Sequence, residues 1–177
     1  GSTGSNMQTV NKASTATMVN ASQSPTVFGQ SVTFTANVTV VSPGAGMPSG
    51  TVTFADGGTD IGTVALSAGS AAFNTAELSV GTHSISARYN GDGDFDTSTS
   101  SAITQTVNKA NSSTMVLSSA NPSLFGEPVT FTATVTAGFP GAGTPSGSVT
   151  FKDGNTVVGT VTLSGGMAAF STASLSV

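Results

Sequence analysis

At 177 residues the chain has room for one or two ordinary domains, and with four basic against eight acidic residues it carries no cationic footprint for nucleic acid or an anionic membrane surface. Cysteine is absent, which excludes disulfides and thiolate metal sites, and no apolar run approaches the ~20 residues that span a bilayer. Hydrophobic residues at 37% suffice for a core, whereas charged residues at 7% are so few that Ser, Thr, Asn and Gly must keep the surface wet.

Gly1–Met7 (GSTGSNM) reads as a cloning scar with a start codon and is set aside. From there the pattern is all β, with seven strands expected near 14–20, 31–41, 50–55, 60–66, 70–76, 82–90 and 99–108. Val32–Val40 (VTFTANVTV) alternates apolar and polar residues, the period of a strand with one buried face. Turn clusters Pro43–Gly46, Asp56–Gly58, Ser67–Gly69 and Asn90–Gly93 separate the strands at the spacing of a β-sandwich. No segment carries a sustained helical period.

After Val107 the pattern begins again. Residues 11–80 recur at 108–177 without insertion or deletion, and 44 of the 70 superposed positions are identical. A period of 97 residues is too long for a solenoid and matches one small domain. The reading is therefore two modules: a complete one at 11–107, then a second at 108–177, with 108–113 serving as linker and start of its first strand. The second copy carries counterparts of the first five strands only. A sandwich without its last two strands exposes a core face and unpaired ladder groups. Such a module could be partly disordered, keep a curtailed sandwich through another pairing, or be completed by a strand from another chain, giving self-association. Gln8–Asn11 repeats Gln105–Asn108 and could donate part of one strand. The expectation is an imperfect, assembly-prone second domain.

The order FGQSVTFTANV, PSGTVTFADG, GTVALSAGSAAFNTAELSVGTHSISARYNGDGDF and STSSAITQTV resembles the bacterial Ig-like repeat domains of large secreted and surface proteins. The resemblance covers 11–107 and the first two-thirds of the pattern in 108–177. It implies tandem seven-stranded immunoglobulin-like sandwiches, used as spacer or adhesion modules outside the bacterial cell, with neighbouring repeats as partners and no shared catalytic residues.

Candidate sites follow from individual residues. Phe28/Phe125, Phe34/Phe131, Phe54/Phe151 and Phe73/Phe170 pair across the repeat and are expected in the cores. Phe139, aligned with Ser42 beside Pro140, is expected to be exposed; the loops carrying Pro43 and Pro140, and that at 91–97, are the candidate interaction loops. Asp92, Asp94 and Asp96 alternate in one Gly-containing loop, which reads either as turn chemistry or as oxygen ligands for calcium, the one cofactor considered. Chain topology places this loop and Pro43–Gly50 together beside Asn11-Lys12, where a cation or Lys12 itself could stiffen the incoming linker. His83, the one histidine, shows no base-orienting acid near it in sequence, so no catalytic residue is expected. A Lys–Asn isopeptide at Lys12, Lys109 or Lys152 would need a buried lysine. The function expected is a structural spacer; the alternatives are adhesion through 43–50 and 91–97, or self-assembly by strand complementation.

Overall fold

The computed structural model describes residues 6–175. The chain divides into two compact units, one formed by the residues up to Thr26 with Ser31–Asn108, the other by Val27–Gln30 with the residues from Lys109 on. In the first, the strands are β1 (Thr15–Ala21), β2 (Thr26–Val27), β3 (Val32–Val40), β4 (Thr51–Asp56), β5 (Thr59–Ala65), β6 (Ser70–Thr75), β7 (Gly81–Tyr89), β8 (Ser98–Thr99) and β9 (Ile103–Asn108). They form two sheets, β1-β3-β6 and β2-β9-β7-β4-β5, with β8 paired to β7. The expected all-β sandwich is what forms. Two very short strands, β2 and β8, add to the seven read from the pattern. β2 arises because the chain leaves the first sheet after Ala21 and joins β9 in the other, with Pro25, which has no N–H to give a ladder, at the change-over.

Alternation sets which side chains meet. Val32, Phe34, Ala36 and Val38 of β3 are buried between the sheets, facing Val52 and Phe54 of β4 and Ile85, Ala87 and Tyr89 of β7. One contact crosses from sheet to sheet in both units. The Phe54 and Phe73 rings stack at 5.6 Å between centroids, and Phe73 lies directly on Gly62 of β5, where a Cβ would overlap the ring. A register shift between Phe54 and Ala55 accompanies it.

The second unit holds β10 (Ser112–Ser118), β11 (Val129–Ala137), β12 (Ser148–Asp153), β13 (Thr156–Thr162) and β14 (Met167–Thr172). Their sheets are β10-β11-β14 and β12-β13. Phe151 and Phe170 repeat the stack at 5.5 Å, again over a glycine, Gly159. β4 has β5 on one edge and β7 on the other, whereas β12 has β13 and, among the described residues, no second neighbour. Among the described residues no further strand pairs with either sheet of this unit. Its open side is a hollow of about 620 Å³ of mixed lining, with Val116, Phe131, Val149, Phe151 and Val158 beside Thr114, Thr150, Lys152 and Asp153. The consequence shows in one matched pair: Val19 is 5% exposed and Val116, its repeat counterpart, 51%.

Two expected core residues are corrected. Phe28 and Phe125, 41% and 80% exposed, belong to neither core cluster. They sit in the turns before β3 and β11, closed by Gln30 N donating to Val27 O and Glu127 N to Leu124 O, so their recurrence tracks the turn and not a buried face.

Because the ring stack has no slack, Gly62→Ala should destabilise the first unit by about 1–3 kcal/mol through overpacking. Phe54→Ala should cost about 3–5 kcal/mol. Phe151→Ala, at the same repeat position in a half-open core, should cost less. Urea unfolding of the full chain, followed separately for each unit, checks all three.

Candidate functional site

The loop cluster expected where the chain enters the first unit does form. β3 and β4 are joined by residues 41–50, β7 and β8 by residues 90–97, and the incoming segment Lys12-Ala13 lies against the second of these loops. Its organiser is Asp92. Oδ2 accepts from Ser49 N at 2.8 Å and Ser49 Oγ at 2.6 Å, and Oδ1 accepts from Asp94 N at 2.9 Å and Phe95 N at 2.8 Å. The Ser49 hydroxyl and amide, with those loop amides behind them, hold the Asp92 carboxyl well below the usual carboxylate range. The two loops touch so closely that Gly50 (φ +89°) could not carry a Cβ without striking the Gly91 carbonyl.

The incoming segment is stitched on as an extra strand. Ala13 bridges Phe95 in parallel, with Ala13 N donating to Asp94 O at 2.8 Å and Asp96 N to Ala13 O at 2.9 Å. Thr15 Oγ1 donates to Asp96 O, and the Thr15 and Thr17 hydroxyls both meet Ser98 Oγ at 2.7 Å. Phe95 anchors the loop from below, buried in the main core. Tyr89, beside it, is buried enough that its phenol is pushed up to about 12, with the Asp92 charge adding to the effect.

The three aspartates of this loop play different parts in the structure. All of the hydrogen bonds that the Asp92 carboxylate accepts come from the loops themselves, and Asp94 and Asp96 contribute backbone carbonyls and amides while their side chains stand out in solvent. Among the described residues no three His, Asp or Glu side chains converge as a metal site. Lys12 reaches the loop too, but its Nζ donates to the Asp92 backbone carbonyl and not to a carboxylate. Lys12, Lys109 and Lys152 are all exposed, so the buried lysine of an isopeptide cluster is missing. Pro43, Pro140 and Phe139 are exposed, Phe139 to 98%.

His83 differs from its expectation. Folding brings Asp56, 27 residues away, to 2.6 Å from Nδ1, while Nε2 sits 2.9 Å from the Ser79 carbonyl. The nitrogen that would serve a nucleophile as base is thus already committed to a backbone acceptor. The Ser79 carbonyl first, then Asp56, raise the imidazole above its ordinary value, against a lowering by burial. Neither Ser49 nor Asp56 had a local signal marking its partner; each faces a group brought from a distant strand.

The chain matches the family described as bacterial Ig-like domain (group 3) over residues 18–108 and again over residues 116–177. Among solved structures it is similar to the fibronectin(III)-like modules of Clostridium thermocellum CbhA, at 17% identity and a TM-score of 0.41, over 89% of this chain and 80% of that one. No curated protein matches.

A carboxyl held low by folded-state donors contributes stability that is present above its unfolded value, about 3.9, and lost as pH falls below it. Asp92→Asn, which turns an NH₂ toward those donors, should therefore lower the melting temperature of the first unit at neutral pH. The gap from the parent chain should narrow on acidification below about pH 4. Thermal denaturation of both chains across that range checks it.

Proposed function

This chain belongs to the bacterial Ig-like domain family, group 3, and we propose that it is a spacer segment of a bacterial extracellular or cell-surface protein. Domains of this kind typically occur in extracellular or surface proteins and are generally non-catalytic. The observation that carries the reading is the path of the chain through the first unit. It enters at Ala13 beside the loops 41–50 and 90–97. It leaves at the end of β9, where Val107 lies opposite Gly81 at the far end of β7. Entrance and exit are thus separated by the nine residues of β7, roughly 30 Å at about 3.3 Å per residue. A module threaded end to end spaces whatever precedes it from whatever follows. The stitching of Lys12-Ala13 onto the 90–97 loop makes that threading stiff at the entrance. No helix among the described residues is long and apolar enough to cross a membrane.

Adhesion is the second reading, and the exposure of Phe139 on the 138–147 loop is what favours it. An aromatic ring beside Pro140 on a loop is suited to apolar contact with a protein or glycan. Self-association through the β12 edge is a third reading, favoured by its lack of a second neighbour among the described residues.

Single-molecule extension of the full chain tests the spacer role. The first unit should give one discrete rupture releasing on the order of 300 Å, from its roughly 90 residues at 3.3–3.6 Å each. Extension without a resolvable rupture would count against it. Light scattering at several concentrations separates the third reading: a single-chain mass throughout leaves the spacer in front, and a mass rising with concentration favours edge pairing.

A further inference from the structure

His83 is held in a way that only its charged form satisfies. Its Nδ1 lies 2.6 Å from Asp56 Oδ2 and its Nε2 2.9 Å from the Ser79 carbonyl oxygen, and neither oxygen can donate. A neutral imidazole has one N–H and one lone pair, so either tautomer turns a nitrogen lone pair onto an oxygen lone pair. The imidazolium donates from both nitrogens. The ring side chain is 10% exposed and Asp56 24%, whereas Ser79 is exposed.

The surroundings add no competing charge. Asp56 ends β4, and its second oxygen accepts from Ser84 N at 3.1 Å, so the carboxylate is already fixed to β7. From β9, the residue opposite His83 is Gln105, neutral, whose amide donates to Thr26 Oγ1 and Thr106 O. Asp60 of β5 is paired with Arg88 at 3.6 Å, and Glu77, in the segment between β6 and β7, is exposed, its backbone N–H donating to Thr75 Oγ1.

We propose that His83 is a proton-operated latch: charged, it ties the β4–β5 turn to the β6–β7 connection, and on losing its proton it lets go of Ser79 and loosens residues 76–81. The latch sits where β7 begins opposite Val107, at the end of the unit from which the chain departs. The module is therefore firmer in mildly acidic surroundings than in alkaline ones, whatever it spaces. The sign follows from linkage: a histidine raised on folding contributes stability that is complete below its unfolded value, about 6.5, and is lost as pH rises through the higher folded value.

Because His83 is the one histidine, its imidazole resonances in the full chain are unambiguous. An NMR titration from about pH 5 to about pH 9 should give a midpoint above 6.5, with both ring nitrogens protonated on the acid side. Amide protection at residues 76–81, taken relative to the intrinsic base-catalysed exchange rate at each pH, should fall above that midpoint. A midpoint at or below 6.5, or protection indifferent to the titration, overturns the latch. In His83→Gln, which keeps one donor, the drop in melting temperature between mildly acidic and alkaline pH should shrink to less than half; an unchanged drop overturns the proposal. Should that variant fail to fold, Asp56→Asn retains the reporter, and its histidine midpoint must fall below that of the parent chain for the latch to stand.

Discussion

The two sheets are held face to face largely by side chains, and one contact between them recurs in both units. Phe54 comes from β4, Gly62 from β5 and Phe73 from β6, so the stack joins two strands of one sheet to an edge strand of the other. The glycine is what lets the ring lie flat on the opposing backbone. Its counterpart over Gly159 keeps nearly the same centroid distance in a unit whose described residues hold far fewer strands. Ring stack, glycine and the register shift beside Phe54 and Phe151 thus form a corner common to both units.

What β7 and β9 add is closure. They cover Val19 and supply Ile85, Ala87, Tyr89 and Val107 to the buried set, and they bring the 90–97 loop round to the incoming chain. That loop is where structure and proposed role meet. Its carboxylate, Asp92, works as a buckle for backbone amides and a serine hydroxyl, tying the 90–97 loop to the 41–50 loop. At the opposite end His83 performs a comparable task, joining a turn and a connection that share no ladder. Both ends of the module are secured by one ionisable side chain facing groups from other segments. The two respond to pH in opposite directions, Asp92 weakening in acid and His83 in alkali.

The strands, their order and most of the core were legible because a two-residue period in Val32–Val40 and its relatives records which face is buried. The repeat sharpened this: positions that stay Phe while neighbours drift are constrained. It misled at Phe28 and Phe125, since a recurring turn preserves its residues as firmly as a recurring core does. The loop cluster at the entrance was legible in outline from strand order alone. Its chemistry was not. Whether Asp92, Asp94 and Asp96 converge depends on backbone directions in the eight-residue 90–97 loop, and those are tied to Ser49 and Gly50 of another loop and to the seating of Phe95 in the core.

By itself, then, the sequence determined the all-β class, the two-module organisation and the alternation that fills the core, because each is a matter of period and spacing along one dimension. Only tertiary structure decided the partners of Asp92, His83 and Lys12. Hydrogen-bond partners are chosen by proximity between strands separated by tens of residues, and no local pattern carries that distance.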